Sequence, residues 1–261
     1  MRDAIIDILQ EAGSIIRERI HTRKDIGRKS TETDLVTEVD RQVEEFTICK
    51  LRKLLPGSEF LSEETQSHIK EADKLWVLDP IDGTLNFVHG FPFVCISLAL
   101  QEAGQLTRAY VYNPVLGHLF EARRGKGAYL NGDRIEVSDT RELKNSLFAT
   151  GFPYDYADNP DNNLRLFDHF QRRIRGVRRP GSAALDMAFT ASGTFDGFWE
   201  QHLKPWDVAA GILLIEEAGG IVSNFTGAPY RFGDKHILAA NPHMHAVMLE
   251  EIRKVQREIK G

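Results

Sequence analysis

The chain has 261 residues, 42% of them hydrophobic and 27% charged, with a formal net charge of −5. That composition excludes a fibrous or disordered chain, and the mildly acidic balance gives no overall attraction to nucleic acid or an anionic membrane. Two cysteines cannot build a disulfide scaffold and no run approaches 18 uninterrupted apolar residues, so neither a cystine-stapled domain nor a membrane span is expected.

The N-terminal stretch MRDAIIDILQEAGSIIRERI is too charged for a signal peptide, and the expected location is a reducing cytoplasm. Within it, Ile5, Ile8, Leu9, Ala12, Ile15 and Ile16 share one face of a helix over residues 3–20. A polar loop, DIGRKSTETD, follows. A second helix runs from about Asp40 to Leu55, with Val43, Phe46, Leu51, Leu54 and Leu55 inward; Pro56-Gly57 stops it. Thr37 or Asp40, in LVTEVD, is suited to open it. KLWVL, 74–78, reads as a buried strand ending at an acidic turn. FVCISLAL, 93–100, reads as another, with Cys95 a small buried hydrophobe.

Residues 106–137 have the pattern of a β-meander, with Asn131-Gly132 as a hairpin turn. LFATG, 147–151, opens a second half with helices near 160–173, 182–192, 205–218 and 243–258 and strands near 194–200, 220–224 and 236–240. His243 and His245, two apart at a helix start, are expected on that helix's surface. The softest boundary is 138–145, which divides one compact unit into halves 1–140 and 141–261. The pattern is α/β (α+β), layered, with several antiparallel pairs.

The stretch LDPIDGTLNFVHG, 78–90, carries the chemistry. A buried strand that delivers Asp79 and Asp82 to a turn must neutralise them, and Pro80 keeps the backbone between them rigid. Hard oxygen donors at this spacing suit Mg²⁺ or Mn²⁺, with the Ile81 carbonyl as a further ligand; no His or Cys accompanies them to suit zinc. Gly83 admits a ligand close to the backbone, and Thr84 is placed to cap a helix whose N-terminus favours phosphate. Other acids have plainer readings when taken alone. Glu63 and Glu64, in FLSEET, fit solvated acids. Asp207 in KPWDVAAG, behind Pro205, fits a first helical turn.

Together these segments resemble the inositol monophosphatase family of Mg²⁺-dependent, lithium-sensitive sugar phosphatases. The resemblance runs in order through DLVTEVD, SEET, DPIDGTLNFVHGFPF, GSAALD, the Glu200 region and PWDVAAGILLIEEAGG, from about residue 29 to 240. It implies a layered αβαβα sandwich with the metal site between the two halves, and a homodimer. It also implies that Glu63, Asp79, the Ile81 carbonyl, Asp82 and Asp207 bind two or three Mg²⁺ ions (or Mn²⁺). Water would displace the phosphate in line, oriented by Thr84 with Glu63 assisting and Asp40 holding the threonine. Gly83 and Thr84 amides would meet the phosphate beside Ile81, Asp82 and Asp207. Gly181, Ser182 and Ala183 would line the substrate ring, Glu200 would bind a ring hydroxyl, and Lys29 would sit on a segment near the metals. Two departures stand out. Ser62 precedes Glu63 where the family often has Gly, and Leu85 follows Thr84 where a second Thr is frequent, which could alter packing under the phosphate.

The run QRRIRGVRRP, 171–180, holds five arginines and no acid. It reads as a solvated helix end, as a subsite for a second anionic group with Arg178 best placed, or as a contact for RNA or an acidic protein over 172–179. The activity implied is hydrolysis of myo-inositol monophosphate. The alternatives are a dual inositol monophosphatase/fructose-1,6-bisphosphatase, a histidinol-phosphatase, and a scaffold that binds a nucleic-acid or transcription partner through the arginines. No membrane partner is expected.

Overall fold

The computed structural model of the chain describes residues 1–22, 26–28, 35–65, 72–155 and 157–260. The first part comprises α1 (Arg2–Arg19), β1 (Ile26–Arg28), β2 (Leu35–Thr37), α2 (Glu38–Leu54), β3 (Glu59–Ser62), β4 (Lys74–Asp82), α3 (Thr84–His89) and β5 (Cys95–Glu102). The meander follows as β6 (Gln105–Asn113), β7 (His118–Arg123), β8 (Gly127–Leu130) and β9 (Asp133–Ile135). The remainder is β10 (Leu147–Thr150), α4 (Leu164–Gln171), β11 (Gly176–Arg178), α5 (Ala183–Ala191), β12 (Gly197–Gln201), α6 (Pro205–Glu217), β13 (Ile221–Ser223), β14 (His236–Ala240) and α7 (Pro242–Lys260).

Strands β3 to β9 form a seven-stranded sheet in sequence order, antiparallel except for the β3–β4 pair. The alternation along β4 shows how the layers assemble. Trp76 and Leu78 join Ile5, Leu9, Val43 and Leu51 under α1 and α2, while Leu75 and Val77 face the opposite core with α5 and α6. Both faces are covered, so KLWVL is a continuous apolar run. A five-stranded sheet, in the order β11-β10-β12-β14-β13, lies beyond α5 and α6. Its outer face carries Phe148, Trp199 and Leu238 against Phe170, Met244, Met248 and Ile252 of α4 and α7. The result is the five-layer αβαβα sandwich implied by the resemblance.

The middle layer holds two helices built from small residues. A Cβ on Gly211 of α6 would lie 2.6 Å from the Met187 Cβ of α5, so glycine lets the two helices approach. Their packing matters because each brings site residues to the same place.

Four short strands are not expected from the sequence: β1, β2, β3 and β11 are three or four residues long, too short to express a period of two. One expectation is corrected. His245 is not on the surface of its helix; it is 7% exposed, its Nε2 lies 2.7 Å from Ser223 Oγ, and burial lowers its pKa. His243 is exposed, as expected.

Candidate active site

The first half of the site is made where β4 stops being regular. Its pairing with β5 runs to Asp79 opposite Ser97, slips, and resumes at Asp82 opposite Cys95. Pro80 has no N–H to give the ladder, and the irregularity re-aims the side chains around it. The Ile81 amide donates to Asp79 Oδ1 at 3.0 Å. Asp82 Oδ2 accepts from Ser182 Oγ and from the Ala184 amide, both at 2.7 Å, so an acid of the first sheet is held by the entry of α5. Burial lifts Asp82 to about 6 in spite of these donors. Cys95, also at this turn, has its thiol pushed up by burial and by Asp82, which suits a buried hydrophobe and not a nucleophile.

Gly83 adopts φ 95°, and a Cβ there would sit 2.9 Å from Phe93 O and 3.1 Å from Gly181 O. The turn therefore requires glycine on conformation and on space. Asn86 fastens the same contact: its Nδ2 donates to Phe93 O and to Pro180 O, both at 2.8 Å. Asn86 directly follows DGTL, and that place in the chain is the signal by which it can be found. Leu85 is 43% exposed, so the departure from the family pattern there does not change packing beneath the turn.

Thr84 does not cap the next helix. Gly83 holds the N-cap position and Thr84 is the first residue of α3. The threonine hydroxyl instead lies 3.0 Å from Asp40 Oδ1 and 3.1 Å from the Ile81 carbonyl. Asp40 is fully buried, and its other oxygen accepts from the Thr37 amide at 2.9 Å and the Thr37 hydroxyl at 2.5 Å, closing a capping box on α2. Burial raises the pKa of Asp40, with the Thr37 bonds opposing it. In the turn after β3, the Glu63 amide bonds Leu78 O, while buried Glu44 accepts from Ser62 Oγ and from the Glu64 amide at 2.9 Å. Glu63 is half-buried, unlike the solvated acid its segment alone suggests.

The second half supplies Asp207, third residue of α6, whose Oδ2 accepts from the Lys204 amide at 2.7 Å. Burial raises its pKa well above the carboxylate range, and the charges of Asp82 and Glu63 raise it further. Acids from the β4 turn, the β3 turn and α6 therefore repel one another in one place. Glu200 on β12 is 8% exposed; burial raises its pKa, then Asp207 and Asp82. Gly181 has φ 92°, Ser182 caps α5 by accepting from the Leu185 amide, and Ala183 is that helix's first residue.

Among the described residues, no three His, Cys, Asp or Glu side chains already close on a single ion position. Asp82 is turned to Ser182 and Ala184, and Asp207 to the Lys204 amide. The donor set still fits a hard cation: it is all oxygen and drawn from both halves, burial raises the pKa of Asp82 and Asp207, and the charges of Asp82 and Glu63 add to the rise at Asp207. Lys29 lies outside the described residues.

The arginine run divides. Arg172 bonds Asp168 at 2.9 Å, Arg173 the His169 carbonyl at 2.8 Å and Arg175 the Asn145 side chain at 3.0 Å. The Arg178 guanidinium turns back to the Val177 carbonyl at 3.4 Å. Arg179 is different, lying over the Phe152 ring and drawing the Glu200 pKa down.

The inositol monophosphatase family model matches residues 1–257. The chain belongs to the inositol monophosphatase family. Family membership supports a phosphatase enzyme. Curated relatives carry two kinds of name. One is "Nus factor SuhB" of Pseudomonas aeruginosa, 44% identical over 225 residues that cover 84% of this chain and 83% of the relative. Another is "Inositol-1-monophosphatase" of Mesorhizobium japonicum, 37% identical over 222 residues, 85% of this chain and 84% of the relative. The fold matches the inositol monophosphatase from Anabaena, with TM-score 0.87, 35% identity and 97% and 94% coverage. It also matches the extragenic suppressor protein suhB from Bartonella henselae, with TM-score 0.91, 35% identity and 97% and 98% coverage. Among the described residues no helix is long and apolar enough to cross a membrane.

Proposed function

We propose that the chain hydrolyses myo-inositol monophosphate to inositol and phosphate, as a Mg²⁺-dependent phosphomonoesterase of the cytoplasm that works as a homodimer. One observation carries the reading: Asp82 of the first sheet is bonded to the start of α5 and repels Asp207 of α6, which joins acids of both halves around one volume. Glu63, Asp79, the Ile81 carbonyl, Asp82 and Asp207 would hold two or three Mg²⁺. When bound there, the metal polarises the phosphate, makes a water acidic and stabilises the leaving ester oxygen.

The chain's own groups do the rest. Thr84, with its proton directed to Asp40 or Ile81 O, keeps lone pairs to accept a hydrogen from the attacking water. Glu63 would take the one proton that the water gives up as its oxygen bonds to phosphorus, and as the ester P–O bond breaks the departing inositol oxygen takes a proton from solvent. The Gly83 and Thr84 amides meet the phosphate, and Ser182, Ala183 and Glu200 border the ring.

Phosphate release from inositol 1-phosphate, fructose 1,6-bisphosphate and histidinol phosphate, with and without Mg²⁺, tests this in the wild type and Asp82→Asn. Mg²⁺-dependent turnover favouring the inositol ester and lost in the variant is expected. Turnover spread evenly over the three would retain the metals and replace the substrate.

The relatives named as Nus factors support a second reading, a transcription-linked role beside hydrolysis, with RNA or protein at residues 172–179. Arg172 and Arg173 already have acidic neighbours in Asp168 and Glu251, which reduces the charge they can offer. Anisotropy of a structured RNA against salt, in the wild type and Arg172→Glu/Arg173→Glu, decides it; equal salt slopes would remove this patch from the reading.

A further inference from the structure

Three neighbouring parallel strands end at one rim of the site. In the order β11, β10, β12, the ends of β11 and β10 lead into Arg179 and into Gly151 and Phe152, and Glu200 is the last residue but one of β12. The register pairs Arg178 with Ala149 and Trp199 with Thr150, so Arg179 and Glu200 follow one step beyond on the two flanking strands. Two strand spacings are about 10 Å, a gap that an arginine and a glutamate side chain can span between them.

Each side of this gap is prepared. The Arg179 guanidinium lies 5.3 Å from the Phe152 ring centroid, and among the described residues no carboxylate forms an ion pair with it. The ring places the cation while leaving its N–H groups to bind something else. Opposite, the Glu200 carboxylate lies across Gly151, where a Cβ would fall 2.1 Å from Oε1 and 2.6 Å from Oε2. Asp186 of α5, 1% exposed, has a buried Oδ1 with no hydrogen-bond partner among the described residues, and its pKa is raised by burial and then by the charge of Glu200. A buried oxygen left without a protein partner calls for a ligand or water.

A hydroxyl both donates and accepts, so a ring of hydroxyls is best read by acceptors on one side and donors on the other. We propose that Arg179 selects the substrate by donating to ring hydroxyls that lie between it and Glu200, giving the site a preference for cyclic polyol phosphates over short-chain ones. This rests on the phosphatase reading above and names what its far end recognises. Two buried acids at the same rim make it a poor place for a second phosphate, which is why hydroxyls are assigned to the arginine.

The test is steady-state hydrolysis of inositol 1-phosphate, glycerol 2-phosphate and fructose 1,6-bisphosphate by the wild type, Arg179→Ala and Arg179→Lys. With Arg179→Ala, KM for inositol 1-phosphate should rise about 10-fold with kcat within about 2-fold, and Arg179→Lys should recover part of it. Glycerol 2-phosphate, too short to reach the rim, should show a much smaller rise. An equal loss on all three substrates would mean a structural role, and a loss confined to the bisphosphate would mean an anion subsite; either overturns the proposal. If the wild type hydrolyses none of them, the phosphatase reading fails, and Arg179 is judged by calorimetry with inositol 1-phosphate and Mg²⁺. Binding about 10-fold weaker in Arg179→Ala would then support it, and equal binding would overturn it.

Discussion

Asp40 and Asp207 occupy the same local motif and have different fates. Each is the third residue of its helix, and each closes a capping box by accepting the amide that precedes the helix, Thr37 N for Asp40 and Lys204 N for Asp207. Asp40 is fully buried, with Thr37 on one oxygen and Thr84 on the other. Asp207 is half-buried, and among the described residues one of its oxygens has a backbone donor while the other has no hydrogen bond. It also sits in the field of Asp82 and Glu63. A helix-capping acid becomes available for chemistry when one oxygen is left over and other acids gather near it. The acid whose lone pairs are occupied serves as a brace.

The sharpest way to break this contrast is to neutralise each acid in turn. Asp207→Asn should lower kcat/KM on the order of 10²–10³-fold, the scale of losing a group that faces the transition-state charge. In the absence of metal it should melt no lower than the wild type, because the substitution removes a repelled carboxylate while the amide oxygen still accepts from Lys204. Asp40→Asn should cost less activity, about 10–100-fold through a misplaced Thr84, but more stability, since its NH₂ would face a donor now satisfied by an oxygen. Thermal melts of both variants with chelator present measure the second half of the contrast. If Asp40→Asn melted as high as Asp207→Asn, the distinction between brace and ligand would collapse.

The smallest effect sharpens it from the ring side. Asp186 has its pKa raised well above 3.8 by burial and by Glu200 and Asp82. A carboxyl that binds its proton more tightly when folded supports stability fully below the unfolded pKa, and that support is lost as pH rises toward the folded value. Asp186→Asn should therefore raise the midpoint of melting at pH 8 by a few degrees, on the scale of about 2–4 °C per kcal/mol for a domain this size. The gain should shrink as the pH is taken toward 4. A gain that did not change with pH would show that the charge of Asp186 is not what the fold tolerates.

Much of this was legible from residue order. The buried face of α1 followed from a period of 3.6, the unbroken apolar run of β4 marked it as a buried strand, and its acid pair pointed to a hard cation before any fold was known. What escaped was anything decided by a distant neighbour. The burial of Glu200 depends on Gly151, nearly fifty residues away, whose missing side chain leaves room for the carboxylate. His245 looked exposed because its partner, Ser223, is 22 residues away. Arg178 and Arg179 are adjacent in the chain, yet one bonds the Val177 carbonyl and the other lies over the Phe152 ring, a difference that residue order does not carry.

The two bonds from the start of α5 to Asp82 have a consequence for how the molecule matures. A chain that had formed only the seven-stranded sheet would possess Asp79, Asp82 and Thr84 but would lack both the α5 donors and Asp207. Such an intermediate would present acids without a finished cleft, and phosphate esters would not be cut during synthesis or refolding. Activity in this design is a late-arriving signal, and its recovery in a refolding experiment should track the docking of the second sheet and not the appearance of the first.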